Sequence, residues 1–249
     1  MSGHSKWHSI KHKKGAADQA RGKLFAKLIR QVEVAARAGG ADPDMNPTLR
    51  TMFQKARDAS VPLDTIERAV KRGAGELEGV TYEEITYEAY APGGVALLIE
   101  VLTDNRNRTG AEVRSIVTKR GGTMADPGAV GWQFERKGTV VVGRAADEEE
   151  LMLVAADAGA DDIADEGDAW RVTTGPTDLH AVRTAIEQAG MAVESSDLTM
   201  VAQNLVPLDD KGTAKRVLDL VDALDDHDDV QAVHGNFDIP DEVLEQLEV

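Results

Sequence analysis

His4, His8 and His12 recur at every fourth position, a spacing that would stack three imidazoles on one helix face and suit zinc, nickel or copper. Lys6, Lys11, Lys13 and Lys14 stand among them. Their charge repels a dication, and no neighbouring carboxylate is available to orient the rings, so no metal is expected. The same residues serve a different chemistry better. Four lysines and three histidines within eleven residues, with Trp7 between them, join phosphate-neutralising charge to an aromatic plane that can stack on a base. Met1 to Gly15 show almost no apolar periodicity, so this arm is expected to be mobile or ordered by a partner.

A second cationic set follows. From about Asp18 to Ala38, Phe25, Ile29, Val32 and Ala36 recur at helical spacing, and Gly39-Gly40 ends the run. At about 100° per residue, Lys23, Lys27, Arg30 and Arg37 fall in one arc of about 80° opposite that stripe, with Arg21 at the helix start. A Lys/Arg arc on a helix is also the ordinary sign of a solvated face; it is the adjoining arm that favours phosphate contact. A third set lies in Thr103-Asp104-Asn105-Arg106-Asn107-Arg108. There Arg106 and Arg108 precede a helix start and could converge on a phosphate, or Asp104 could pair with one of them while the asparagines take turn conformations. The cluster Asp225-Asp226-His227-Asp228-Asp229 could hold Mg²⁺, although carboxylates ending an amphipathic helix are more often solvated. Walker A, G-x-S-x-G, H-E-x-x-H and post-strand G-x-G-x-x-G patterns are absent. No catalytic residue and no cofactor is therefore expected.

These sets sit on an uneven background. Residues 1–72 contain 15 Lys/Arg against 7 Asp/Glu, the rest of the 249-residue chain 13 against 37, for a net charge of −16. A basic end can concentrate nucleic-acid phosphate while the acidic remainder restricts how the chain docks. The absence of cysteine excludes disulfides, thiolate metal sites and cysteine nucleophiles and fits a reducing compartment. With neither an apolar signal core nor a run of about 18 apolar residues, a soluble, cytoplasmic protein is expected, without membrane partner or evident small-molecule substrate.

The elements that must carry these residues change type along the chain. Asn46-Pro47 reads as a cap and first position of a second helix, and Asp64 with Glu67 as a capping box for a third, stopped by Gly73. From Thr81 the period becomes two. Val95, Leu97, Ile99 and Val101 alternate, Thr109 and Glu112 make a capping box before Val113, Ile116 and Val117, and Val130, Trp132 and Phe134 alternate again. Strand Leu198–Val206, a helix with Ala214, Val217, Leu218 and Val221, and strand Val230–Phe237 repeat that β-α-β order. Tyr82–Tyr90 would add an edge strand, and Val243, Leu244 and Leu247 a short last helix. Between the halves, Thr139 to Ser195 reads as a complete β-α-β-β-α-β unit. The expected fold is α+β and multidomain, with an all-α N-terminal domain and two ferredoxin-like domains, one inserted in the other. Expected boundaries are 1–77 for the basic helical domain with its arm, 78–137 plus 197–249 for the discontinuous domain, and 138–196 for the acidic insert.

Met1 to Lys14, Arg21 to Phe25, Gly40 to Pro47, Tyr82 to Glu88, Leu102 to Arg108, Phe134 to Gly138 and Asn236 to Pro240 together resemble the YebC-like proteins. These are described as transcriptional regulators and have mitochondrial relatives that activate translation. The resemblance spans nearly the whole chain. It implies a helical domain followed by two related α+β domains, and a cytoplasmic, non-enzymatic role in gene expression, either at promoter DNA or on the ribosome. Val233-His-Gly-Asn236 departs from that family's aromatic-containing form, and the insert carries little motif, so His234 and the insert receive no role. A lysine-rich arm with one tryptophan suits folded RNA at least as well as duplex DNA, and ribosomal RNA is favoured as partner over promoter DNA.

Overall fold

The computed structural model describes residues 18–247. Three helices come first: α1 (Asp18–Gly39), α2 (Pro47–Asp58) and α3 (Leu63–Gly73). α1 buries Leu28, Val32, Ala35 and Ala36, with Phe25 and Ile29 partly buried beside them, so the apolar stripe is centred nearer Leu28 and Ala35 than expected. Asn46 caps α2 by accepting from Leu49 N–H at 3.0 Å, while its own Nδ2 donates to the carbonyls of Ala35 and Gly40. One buried side chain thus fixes both the end of α1 and the start of α2. α3 runs so close to α1 that a Cβ on Gly73 would lie 2.3 Å from the carbonyl oxygen of Glu33. The expected capping box at Asp64 does not form. Pro62, at φ −58°, ψ 135°, sets the start of α3 without a side-chain cap, and Asp64 within the first turn pairs with Arg68 at 2.8 Å.

Strand β1 (Glu83–Tyr90) forms an antiparallel hairpin with β2 (Ala96–Thr103), in register from Glu83↔Thr103 to Tyr90↔Ala96. The hairpin turns through Pro92-Gly93-Gly94, where both glycines adopt positive φ. Helix α4 (Arg106–Lys119) then leads to the two-residue strand β3 (Thr123–Met124), which pairs with β1. After the insert come β8 (Val206–Pro207), α7 (Lys211–Asp225), β9 (Val230–Gly235), β10 (Phe237–Asp238) and α8 (Asp241–Leu247). The sheet order is β3-β1-β2-β9, with β10 paired to β8 as a separate ribbon. Val113 and Val117 of α4 and Val217, Leu220 and Leu224 of α7 close over Leu97, Ile99 and Val101. Each such fully buried aliphatic side chain contributes about 1.5–3 kcal/mol.

The insert comprises β4 (Phe134–Gly143), α5 (Glu148–Asp157), β5 (Ala160–Asp165), β6 (Ala169–Thr174), α6 (Leu179–Gln188) and β7 (Val193–Ala202). Its sheet order β5-β6-β4-β7 is that of a ferredoxin-like β-α-β-β-α-β unit. The fold is thus a helical region followed by two α+β domains, one inserted in the other.

Three strand assignments differ from expectation. Tyr82–Tyr90 is not at the edge: β1 lies between β2 and β3, because the short strand after α4 pairs along its free side at Ala89 and Tyr90. Val130–Phe134 is not a strand of the outer sheet; Gly131–Gln133 is a 3₁₀ turn and Phe134 opens β4. Most of Leu198–Val206 continues β7 beside β4, leaving only Val206–Pro207 as β8. For β1 and β7 the apolar alternation was real and the partner was different, whereas the alternation at Val130–Phe134 falls on a turn that leaves Trp132 67% exposed.

By backbone contacts, Val80–Glu135 and Val201–Val249 belong to one compact unit, and Leu24–Gly79 and Arg136–Met200 to another. Inside the latter, Arg183 of α6, whose side chain is 8% exposed, makes hydrogen bonds of 2.7 and 3.1 Å to the two oxygens of Asp58 on α2. It also donates to Ser196 Oγ at 2.6 Å and to Glu187 at 2.9 Å. Burial pulls its pKa down, but Asp58 and Glu187 outweigh that and hold it above the ordinary value. Lys55 adds a second link, 2.6 Å from Asp197.

Candidate nucleic-acid interface

The cations of α1 face away from its buried stripe, as their spacing predicts. Arg21 and Arg37 are exposed, and Lys23, Lys27 and Arg30 are partly exposed. Lys23 Nζ donates to the Asp226 carbonyl at 3.2 Å, Arg37 lies 3.8 Å from Glu33, and Lys27 and Arg30 are engaged as well. Glu33 itself is buried at 4% exposure and accepts from Arg72 Nε at 2.9 Å. Sequence reasoning missed this carboxylate; its signal was an acid in the middle of a cation-rich helix. His4, Lys6, Trp7, His8, Lys11, His12, Lys13 and Lys14 lie outside the described residues.

The arginine loop divides its two guanidinium groups. Asn105, not Thr109, caps α4, accepting from Arg108 N–H at 3.1 Å. Thr109 is buried in the first turn, where its hydroxyl donates to Asp229 Oδ2 at 2.7 Å and lies 2.7 Å from that of Thr103. Arg108 joins the same carboxylate at 2.7 Å and Asp104 at 3.0 Å. The hydrogen bond to Asp229, with that group's negative charge, holds the Arg108 pKa above its ordinary value. Arg108 therefore serves two carboxylates before it meets any phosphate. Arg106 is exposed.

The Asp225–Asp229 cluster is drawn apart by these bonds. Asp229 turns inward to Arg108 and Thr109, and His227 Nε2 meets Glu112 at 2.8 Å while its Nδ1 accepts from Asp229 N–H. Among the described residues no group of three His, Asp or Glu side chains is placed to hold a metal ion, and no helix is long and apolar enough to cross a membrane.

Two further groups carry geometry that the sequence reading did not assign. Glu88 accepts main-chain N–H bonds from Gly128, Val130 and Gly131 at 2.6–2.9 Å. Burial pushes its carboxyl up, and the N–H groups of Val130, Gly128, Gly131 and Ala129 together overcome this and hold it below the ordinary carboxylate value. The loop they fix presents Trp132, 67% exposed, with Nε1 donating to the Ala129 carbonyl at 3.0 Å. In the other compact unit, a cavity of about 80 Å³ between α2 and α6 is lined by Arg50, Gln54, His180 and Arg183. It is too small for a nucleotide, and Arg183 is already committed to Asp58.

Residues 5–76 match the family model described as "TACO1/YebC protein N-terminal domain", and residues 82–237 match "TACO1/YebC second and third domain". A relative from Thermobifida fusca is 57% identical over 249 residues, covering 99% of this chain and 100% of that one. One from Halothermothrix orenii is 54% identical over 250 residues, covering 99% of each. Both are named "Probable transcriptional regulatory protein". The crystal structure of a conserved hypothetical protein from Aquifex aeolicus superposes with a TM-score of 0.85 at 46% identity, covering 94% of this chain and 97% of that one.

Proposed function

Because the chain belongs to the TACO1/YebC family, we propose that it is a non-enzymatic, cytoplasmic regulator of gene expression that binds nucleic acid, with ribosomal RNA as its principal polymer. The observation that carries this reading is the division of charge, 15 Lys/Arg against 7 Asp/Glu in residues 1–72 and 13 against 37 thereafter. One end attracts a polyanion, while the body, were it to wrap a duplex, would be repelled along its length. In this reading residues 1–77 are the binding domain, 78–137 with 197–249 the discontinuous body, and 138–196 the acidic insert. His4, Lys6, Trp7, His8, Lys11, His12, Lys13, Lys14, Arg21, Lys23, Lys27, Arg30 and Arg37 supply contacts from that domain, and Arg106 and Arg108 from the body.

Base-specific reading of duplex DNA has less support. A recognition helix places Asn, Gln or Arg at its start to reach base edges. α2 begins with Pro47, Thr48 and Leu49, and its Arg50 is bonded to the carbonyls of Pro43 and Asp44; α3 begins with Leu63 and Asp64. The name carried by the relatives nevertheless favours a second reading, regulation at promoter DNA. Crosslinking in living cells, followed by sequencing of both RNA and DNA with Trp7→Ala plus Lys11→Ala as control, separates the two. Ribosomal RNA enriched over the control is expected. Discrete promoter DNA, with ribosomal RNA no higher than in the control, would reject the ribosomal reading.

A further inference from the structure

We propose that the flank of α4 beside β1 and β3 is a second nucleic-acid contact, a trench that takes a single strand of RNA by its phosphates. The inference rests on the nucleic-acid reading above and adds a site to it. Two neighbouring i, i+4 rows of α4 build the trench, one through Arg106, Gly110 and Arg114, the other through Ala111, Ser115 and Lys119. Cations stand at both ends and in the middle, with small residues between them. At about 1.5 Å rise per residue, Arg106 and Arg114 are about 12 Å apart along the axis and Lys119 about 7.5 Å further on. The open cavity measures about 710 Å³. Its floor is Tyr87 of β1 and Met124 of β3. A Cβ on Gly110 would sit 2.9 Å from the Tyr87 hydroxyl, so any larger residue at 110 would have to push that hydroxyl aside.

The charge in the trench is available. Arg106, Arg114 and Lys119 are exposed, no carboxylate lines the cavity, and none of the three has an ion-pair partner among the described residues. Arg108, on the same helix, is neutralised by Asp104 and Asp229, and Glu112 is engaged by His227. Three cations without an ion-pair partner among the described residues therefore line one cavity, spread over about 20 Å of the helix axis. Successive phosphates of one strand can meet cations spread along one cavity, and the hydroxyl of Ser115 with the amide of Asn107 can meet sugar hydroxyls. Neither Arg114 nor Lys119 belongs to the contacts expected from the sequence.

The test uses the full chain and fluorescently labelled single-stranded RNA and DNA of about twelve nucleotides, with affinity measured from low to high salt. Arg114→Gln with Lys119→Gln, both exposed and outside the core, is expected to lower the salt slope by about 1.4, the loss of two single-strand phosphate contacts. Ala111→Gln fills the trench without changing charge and is expected to weaken binding with the slope retained. A tighter grip on the RNA oligomer than on its DNA counterpart marks contact with sugar hydroxyls; equal grip marks phosphate contact alone, and either accords with the trench. Wild-type binding with slope and affinity unchanged in both variants would overturn the trench and leave the wider reading intact. Failure of the wild type to bind these oligomers or any ribosomal RNA fragment would overturn both. Loss of poly-glutamate binding in the double variant, with RNA binding unchanged, would assign the trench to an acidic protein surface and overturn the proposal.

Discussion

Glu88 stands in the middle of β1, where alternation predicts nothing more than an outward carboxylate, yet its oxygens gather three main-chain N–H groups from the loop at Gly128–Gly131. Those bonds favour the ionised form, so the folded pKa lies below 4.5. The stability they add is fully present above the unfolded value and is lost as pH falls through the folded one. Glu88→Gln should therefore unfold at lower urea than wild type near neutral pH, with the gap closing under acid below about pH 4.5. Urea midpoints across pH measure this, and a gap of constant size down to about pH 3 would remove the ionisation from the account. Arg108 shows how far single residues are legible. Asp104, four positions before it, was a visible partner from sequence. Asp229, 121 positions away, acquires meaning only once β9 lies beside β2, and it is this second carboxylate that ties Arg108 into the fold. Glu33 was hidden for the same reason, its Arg72 being 39 positions off.

Helices were legible where their ends are local. Asn46-Pro47 and Gly39-Gly40 act through bonds to residues a few positions away, and both signals hold. Thr109 carries the same chemistry as a cap but spends its hydroxyl on Asp229, and Asn105 takes the cap one turn earlier. Strands behaved otherwise: alternation identifies a strand's buried face but leaves its neighbour open, so β1 moved from the edge to the interior and β7 from one sheet to the other. The link between α2 and α6 has no local signal at all. Arg183→Ala leaves Asp58 as an uncompensated charge at 13% side-chain exposure and is expected to cost about 3–5 kcal/mol in urea unfolding. Arg183→Met combined with Asp58→Leu should recover most of it, because an apolar pair of similar volume avoids the desolvation penalty. A single-variant cost below about 1 kcal/mol would mean that solvent already screens the pair.

At the scale of the whole molecule, the two-part charge was visible from composition alone and the nesting of one sheet within another from the returning β-α-β order, whereas the trench on α4 required the fold. Replacing Lys11, Lys13 and Lys14 together by Ala should lower the salt slope for RNA or DNA by about 2.1–2.7; an unchanged slope would take the arm out of the interface. The nesting also fixes a timetable. β2 ends at Thr103 and its partner β9 begins at Val230, so at about 5–20 residues per second the newborn strand waits roughly 6–25 s for its second neighbour. During that interval β2, apolar but for Glu100 and the terminal Thr103, offers an open edge that invites pairing with other nascent chains. The insert can close its own four strands meanwhile. The outer sheet, begun before the insert, is then completed after it, and its waiting edge is exposed to the crowding and chaperones at the mouth of the ribosome that makes it.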